Sequence, residues 1–395
     1  MTEKLQQNQN RATYRLAVKR LWPIVTFIII AAIGCLLLWK TTLSKRQAMD
    51  KQLAAIEAAR AIPDPENAAI IYDRLFGSFD IDFNQPEFFA RAKLASTDEP
   101  WRSADHPETA EWLKGHQKII DTLMEISRIE KCRFPITDNL MESKRMDRMV
   151  KIRQCAFLLR SAANNDMAES RTDAGLEKYL CLIQMANHLY QQPLIFDYLV
   201  GMAVEAIALK AMVNFIVEGD ATETRLKTLE ASPPQIKNTW GTDSAQMLEV
   251  ERLLDREFPR EFNSLERLRY WWYWHGSRLK ESVDRAHKQY LRLLTCRRGI
   301  RILIELRHYK NQTGHWPESL EQIKQFVPAE ALVDPHNESA NGGFVYKLTD
   351  DGFKLYSKGQ NGVDEDGQHK DEGPDDWPIW PPRGRKPKTE EGPQK

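Results

Sequence analysis

The longest uninterrupted apolar stretch of the chain lies near its N terminus. Residues 21–39 read LWPIVTFIIIAAIGCLLLW and contain no charged side chain. As a helix they would extend roughly 28 Å, which is about the thickness of one bilayer hydrocarbon core. Trp22 and Trp39 stand near the two ends, where indole rings favour the membrane interface. The pattern predicts one transmembrane helix, a single span from Leu21 to Trp39.

The charges beside this segment predict its orientation. The preceding flank has one acidic residue, Glu3, and a set of basic ones: Lys4, Arg11, Arg15, Lys19 and Arg20. The following flank mixes both signs: Lys40, Lys45, Arg46 and Lys51 with Asp50 and Glu57. The more basic flank stays in the cytoplasm. We therefore expect a cell inner-membrane protein with a cytoplasmic leader of residues 1–20 and its bulk in the periplasm or otherwise outside the cytoplasm.

Two kinds of N-terminal segment compete with a transmembrane anchor. A cleaved signal peptide has a shorter apolar core and a small-residue cleavage site, which TTLSKRQA does not offer. The run Ala32-Ile33-Gly34-Cys35 is similar to a bacterial lipoprotein box, but the three leucines after Cys35 replace the usual polar linker. The favoured interpretation keeps Cys35 as a small apolar residue inside the helix.

Helical periodicity dominates the next 250 residues. Residues 40–62 predict a helical stalk that ends at Pro63 and Pro65, and residues 63–289 predict an irregular α-helical array. The helices predicted from apolar spacing are 109–131, 146–163, 173–190, 194–217 and 222–229. The pair 146–163 and 173–190 resembles one tetratricopeptide-like hairpin. Because residues 194–217 include Asp197, Glu205 and Lys210, we predict a buried core helix there and not a second span.

The pattern changes in the C-terminal quarter. A last helix is predicted at 290–309, and alternating apolar residues predict strands at 344–348 and 352–356 around a short turn. Residues 290–380 therefore form a predicted α+β module, and the Pro-, Lys- and Glu-rich residues 381–395 a disordered tail. The fold class is mainly α, with a single transmembrane helix, tetratricopeptide-like hairpins and a short antiparallel sheet.

Composition narrows the function classes only slightly. The 56 Lys and Arg residues balance 56 Asp and Glu residues, so nothing indicates a nucleic-acid partner. None of the five cysteines forms a C-x-x-C pair, which argues against a structural zinc site. Four cysteines follow the anchor: Cys132, Cys155, Cys181 and Cys296. In an oxidising compartment they could form two disulfides in any of three connectivities, and the alternative is that they are buried free thiols.

An acidic segment near the C terminus is the candidate metal site. Eight possible oxygen ligands lie between Asn361 and Asp376, and the glycines among them permit tight turns. Calcium takes six to eight oxygen ligands in irregular loops. We predict a structural calcium ion held by Asn361, Asp364, Asp366 and Asp376. The alternative is a solvated acidic loop, and the spacing is not that of an EF-hand.

Consecutive aromatic residues form the candidate binding surface. The run YWWYW cannot face a single core from one helix, so we expect Tyr270, Trp271, Trp272 and Trp274 to contact a protein partner or the membrane interface. The alternative is a helix packed between two layers of the protein itself.

The C-terminal module resembles a known family. The segments that carry the resemblance are HYKNQTGHWPESLEQI, Asp334-Pro335, FVYKLTDDGFKLYSKGQNGVDEDG and Asp375-Asp376-Trp377. They resemble, in order, the helix, turns, sheet and closing loop of type II secretion major pseudopilins. The resemblance covers about 80 residues and implies a small antiparallel sheet and one calcium ion in the loop.

The resemblance does not extend to the N terminus. Pseudopilins begin with a prepilin-peptidase site and a glutamate in the apolar helix, whereas here Arg20-Leu21-Trp22 precedes an apolar run without glutamate. We expect no pilin-type processing or polymerisation. The whole arrangement resembles membrane-anchored envelope proteins of planctomycete-type bacteria, which implies a borrowed module.

No local motif predicts catalysis. The sequence has no G-x-S-x-G, Walker or Rossmann glycine pattern. We expect a non-enzymatic, membrane-anchored extracytoplasmic scaffold or interaction protein. The alternatives are a component or relic of a type II secretion or pilus-like assembly, and a hydrolase whose active site is assembled from distant residues.

Overall fold

A computed structural model describes residues 50–78, 99–136, 143–231, 235–255, 278–340, 342–370 and 373–382, with five residues between 40 and 48. Residues Ala61–Lys395 form one compact unit and Met1–Arg60 another. In the first unit, residues 50–59 are helical, within the predicted stalk. The predicted leader and the transmembrane segment 21–39 lie outside the described residues, as do residues 383–395 of the predicted tail.

The described part of the second unit is mostly helical. Pro63 precedes a 3-10 turn at Asp64–Glu66, as expected where proline ends the stalk. The helices that follow are α1 (Ala68–Ser78), α2 (Pro107–Gly115), α3 (Gln117–Ile126), α4 (Ser143–Ala168), α5 (Thr172–Tyr190), α6 (Ile195–Glu218), α7 (Glu223–Ala231), α8 (Trp240–Asp255) and α9 (Arg278–Thr313). The array is irregular, and a tetratricopeptide pattern is not shown.

One predicted helix is wrong as a single element. The predicted helix 109–131 is instead two helices, α2 and α3, which meet at His116 with φ −103° and ψ 9°, and residues 127–131 are not helical. Gly115 precedes the break, and glycine has a low helix propensity. The His116 N–H is bonded to the Leu113 carbonyl oxygen at 3.0 Å, a tighter turn than an α-helix has.

Helix α6 lies at the centre of the helical layer, between α5 and α9. Among the described residues, it is the one helix long and apolar enough to cross a membrane, and 67% of its most apolar window is buried inside the protein. Gly201 permits the close approach of α5, because a Cβ atom there would lie 3.0 Å from Tyr190 Cε1. At its C terminus, Arg307 Nη1 and Nη2 each donate at 3.0 Å to carbonyl oxygens, those of Val217 and Gly219.

The long helix α9 joins the helical layer to a small sheet. Strands β1 (Val345–Thr349), β2 (Gly352–Ser357) and β3 (Trp377–Trp380) pair antiparallel in that order. The predicted strands match β1 and β2 closely, whereas β3 follows the acidic loop and was not predicted as a strand. One apolar core continues from α1 to β3, through α6 and α9. The predicted module boundary at residue 290 lies inside α9.

Candidate functional site

The loop between β2 and β3 carries all the predicted metal ligands. Gly359, Gly362 and Gly367 have positive φ, and so does Asp366 at 60°. Positive φ costs a glycine little, which allows the chain to turn repeatedly. At Gly359 the chain also has no room for a side chain, since a Cβ atom would lie 2.3 Å from the Asp375 carbonyl oxygen. The loop therefore folds back on its own C-terminal end.

A buried aspartate fixes the start of the loop. The Asp334 carboxylate is fully buried and accepts hydrogen bonds from Ser357 Oγ at 2.9 Å and from the Lys358 N–H at 3.2 Å. It also accepts the N–H of His336 at 3.0 Å. The Asp-Pro turn thus anchors the end of β2, where the acidic loop begins.

Two of the predicted ligands already face basic side chains. Lys347 Nζ lies 3.2 Å from Asp364 Oδ2 and 3.1 Å from Asp366 Oδ1, and Lys354 Nζ lies 2.7 Å from Asp366 Oδ2. The Tyr356 hydroxyl donates to Asp364 Oδ1 at 2.7 Å. This hydrogen bond, followed by the Asp366 N–H and Lys347, lowers the pKa of Asp364 to about 2.

The other two predicted ligands meet around Glu365. Asn361 Nδ2 donates to Glu365 Oε1 at 3.2 Å, and the Asp375 N–H donates to Glu365 Oε2 at 2.6 Å. The Glu365 and Gly367 N–H groups both donate to Asp376 Oδ2, at 2.9 and 2.8 Å. The structure therefore divides the predicted site into a lysine-paired half and a half centred on Asp376.

Two adjacent carboxylates in this second half each keep one oxygen without a hydrogen bond from the described residues. Asp375 Oδ2 accepts the N–H groups of Gln360 and Asn361, but its Oδ1 is buried and has no hydrogen-bond partner within the described ranges. Asp376 is fully buried, and its Oδ1 likewise has no partner in the part of the chain that the structure describes. Burial, followed by repulsion from Glu365 and Asp364, raises the pKa of Asp376. An unpaired buried carboxylate oxygen is costly, and a cation would remove that cost.

The ligand chemistry of the loop fits a hard cation. Its side chains offer oxygen, and calcium also accepts main-chain carbonyl oxygens. Within the described ranges, no three His, Cys, Asp or Glu side chains are already grouped as a metal site. An ion here would depend on Asp375 and Asp376 together with main-chain oxygen. Sequence reasoning placed Asp375 among eight possible ligands but did not select it.

A second concave surface lies between α6, α9 and β3. This groove has a volume of about 500 Å³. Its walls are mostly apolar, with Met202 and Leu209 from α6, Leu293 from α9 and Ile379 from β3. A smaller cleft of about 390 Å³ beside the acidic loop is lined by Tyr356, among other residues of the sheet and loop.

The remaining predicted groups are the aromatic run and the four cysteines. The aromatic residues Tyr270, Trp271, Trp272 and Trp274 lie outside the described residues. Cys132, Cys155, Cys181 and Cys296 are free thiols. Burial raises the pKa of Cys155 and Cys181 to about 12. These thiols are therefore protonated and unreactive in the folded protein.

Comparisons with protein-family models, with curated proteins and with solved structures found no match to this chain. The function must therefore be argued from the two sites themselves.

Proposed function

We propose that this protein is a membrane-anchored extracytoplasmic scaffold or interaction protein whose C-terminal α+β unit is stabilised by one calcium ion. The observation that carries the calcium proposal is a pair of buried oxygens, Asp375 Oδ1 and Asp376 Oδ1, that have no hydrogen-bond partner among the described residues. Calcium is the biological cation best suited to an all-oxygen loop of irregular shape. Its charge would offset the repulsion among Asp376, Glu365 and Asp364.

The ion would act by stabilising the fold. It would connect the end of the acidic loop to the start of β3, and β3 packs on α9. A ligand that binds only the folded chain stabilises it by about 2.7 kcal/mol at a concentration 100-fold above its Kd. In this role the calcium ion keeps a partner-binding unit intact and carries out no reaction.

The membrane anchor is proposed from residues 21–39. Their uncharged sequence and the basic flank before them support a single span with a cytoplasmic N terminus. Helix α6 is better explained as a core helix than as a second span, because its Glu205 is buried inside the protein and paired with Arg297. A buried core helix of this kind passes the same length and composition test as a span.

Calcium titration of the full-length chain in phosphatidylcholine nanodiscs tests the proposal. We expect calcium to raise the melting temperature, a chelator to reverse the rise, and Asp376→Asn to abolish it. Asp350→Asn is the matched control, since Asp350 is exposed in the turn between β1 and β2. Terbium luminescence sensitised by Trp377 provides a local readout that does not require global unfolding.

Two outcomes would contradict the calcium site. One is terbium luminescence that is identical in the wild-type protein and in Asp376→Asn. The other is a rise in melting temperature that Asp350→Asn reduces as much as Asp376→Asn does, since this would indicate general charge screening. Protease protection of the bulk domain in inside-out vesicles tests the topology separately, and digestion there would contradict it.

A second candidate function is a component of a secretion or pilus-like assembly. The observation that favours it is a long helix, α9, followed by a small antiparallel sheet with an acidic loop before its last strand, and the pseudopilin resemblance implies a helix, a sheet and a loop of this kind. Co-purification with a secretion ATPase or an inner-membrane platform protein would support this function over a scaffold. The hydrolase alternative has weaker support, because Asp366 in the polar cleft is held by Lys347 and Lys354.

A further inference from the structure

A single imidazole lies between two carboxylates where α7 packs on α9. His308 of α9 is buried, its Nδ1 lies 2.8 Å from Glu223 Oε2, and its Nε2 lies 3.2 Å from Glu230 Oε1. Glu223 is the first residue of α7, and Glu230 follows about two turns later on the same face. The side chain of His308 therefore connects both ends of α7 to α9.

Both contacts can be hydrogen bonds only when the imidazole carries two protons. An ionised carboxylate accepts hydrogen bonds and donates none, and a neutral imidazole has one N–H. The imidazolium has two N–H groups, one for each glutamate. A neutral His308 would instead turn a nitrogen lone pair toward one of the two carboxylates, and this arrangement is repulsive.

The charges around His308 favour the imidazolium. Glu223 and Glu230 face it from α7, and Glu305 faces it from α9 itself, with Arg301 near Glu305. Burial alone would lower the pKa of His308, but the three glutamates, Glu223 first, raise it from its ordinary value of 6.5. The stability that this contact contributes is therefore complete below about pH 6.5 and is lost as the pH rises through the raised pKa.

The two ends of α7 are not held equally. Near its N-terminal end, Arg225 Nε lies 2.7 Å from Asp173 Oδ1 of α5. Neither of these two side chains titrates near neutral pH, so this contact persists when His308 loses a proton. Glu230, the more distant partner of His308, lies at the C-terminal end, next to the buried side chain of Leu229. Deprotonation should therefore release the C-terminal end of α7 first and uncover Leu229.

We propose that α7 is a pH-dependent latch, closed on α9 while His308 bridges Glu223 and Glu230 and opened at its C-terminal end when His308 loses a proton. The opening is local, because α7 is a short helix held mainly by side chains of one face. His308, Glu223 and Glu230 are not candidate calcium ligands, so this proposal and the calcium proposal fail separately.

Hydrogen–deuterium exchange of the full-length chain in phosphatidylcholine nanodiscs tests the latch. The protection factor of each α7 amide, which is the exchange rate of an unstructured peptide divided by that of the protein at the same pH, is measured from about pH 6 to 9. We expect protection from Lys227 to Ala231 to fall about tenfold over this range, because a charge-assisted hydrogen bond is lost. Helix α5, measured in the same samples, should keep its protection.

Two variants separate the effect of the proton from that of packing. In Glu230→Gln a neutral imidazole satisfies both contacts, because its N–H can donate to Glu223 and its other nitrogen can accept from the amide. Glu230→Gln should therefore keep α7 protected over the whole pH range. His308→Gln should lower the protection already at the acidic end and remove most of its dependence on pH. The matched control is His315→Gln, an exposed histidine just after α9, which should behave as the wild-type protein does.

Three results would overturn the proposal. Wild-type protection of α7 that does not change with pH would show that His308 does not control the helix. A pH dependence that persists in Glu230→Gln would assign the effect to another group. An equal loss of protection in α5 and α7 would indicate global destabilisation instead of a local opening. The wild-type profile and Glu230→Gln decide the question if His308→Gln fails to fold.

Discussion

Arg297 on α9 and Glu205 on α6 form a bidentate ion pair inside the protein. Arg297 Nε lies 2.7 Å from Glu205 Oε1, and Nη2 lies 2.6 Å from Oε2. The Tyr190 hydroxyl donates to Oε2 at 2.5 Å, and both charged side chains are buried. The neighbouring carboxylate raises the pKa of Arg297 despite burial, which acts in the opposite direction. This pair links the apolar central helix α6 to the long helix α9.

Removing one partner of this pair should destabilise the protein strongly. Glu205→Ala leaves Arg297 charged and buried, and we expect a loss of about 3–5 kcal/mol in the free energy of unfolding. The double variant Glu205→Leu with Arg297→Met should recover most of that loss, because no charge remains buried. Denaturant titrations followed by circular dichroism measure the free energy of unfolding of the single and the double variant. A loss below about 1 kcal/mol for Glu205→Ala would show that the pair is solvated.

Acid should destabilise the protein through His188. Its Nε2 donates to the Ile129 carbonyl oxygen at 2.7 Å, and its Nδ1 lies 3.2 Å from the Tyr72 hydroxyl. Burial lowers the pKa of His188 from 6.5 to about 4. Between these values the unfolded chain binds the extra proton, so stability falls as pH decreases from about 6.5 to 4, by about 3 kcal/mol in total.

The contribution of His188 is measured by difference. Unfolding free energies of the wild-type protein and of His188→Gln are compared at intervals from pH 7.5 to 4. We expect His188→Gln to be less stable at pH 7.5 and to have a shallower dependence on pH. Parallel curves for the two proteins would assign the acid sensitivity to other groups.

A single methyl group at Gly299 should disturb the contact between α9 and β3. A Cβ atom there would lie 2.5 Å from Ile379 Cδ1 and 2.9 Å from its Cγ2. Gly299→Ala should therefore cost about 1–3 kcal/mol, although alanine favours helix formation. Gly241→Ala, in α8 with open space around it, should be neutral or stabilising by up to about 1 kcal/mol. Adding Ile379→Ala to Gly299→Ala should cost less than the sum of the two changes. Strictly additive costs would exclude the close contact.

The cysteines should resist alkylation until the protein unfolds. In a Cys35→Ser background we expect no iodoacetamide adduct at pH 7.5 on the native chain, and four adducts after unfolding without reductant, because the four described thiols are free. Intact-mass spectrometry counts the adducts. Two adducts instead of four would show a disulfide.

Local signals predicted the bounds of α5 and α6 closely. The sequence Gln191-Gln192-Pro193 separates two apolar runs, and α5 and α6 end and begin within one residue of the predicted bounds. Strands β1 and β2 were found because their apolar residues alternate around a turn. Helix α9 begins 12 residues earlier than predicted, since the charged residues of its first turns hide the apolar spacing.

Contacts between distant residues could not be predicted. Glu205 and Arg297 are 92 positions apart, and nothing near either residue indicates the other. Strand β3 has only four residues, one of them a proline, and its apolar side chains do not alternate with polar ones, so its pairing with β2 depends on the loop before it. The acidic composition indicated where a cation could bind, but the division between lysine-paired and unpaired carboxylates appears only when β1 and β2 bring Lys347 and Lys354 to Asp366.

Helix α9 restricts how this chain could be recombined. It supplies Arg297 to the helical layer, and two residues later Gly299 to the sheet. A recombination crossover or a cloning boundary at residue 290 would separate Glu205 from Arg297. The N-terminal fragment would lose the partner of Glu205, and the C-terminal fragment would expose the apolar face of α9. The sheet and its loop are therefore not a transferable cassette, and exchange between homologous chains would have to preserve α9 together with α6.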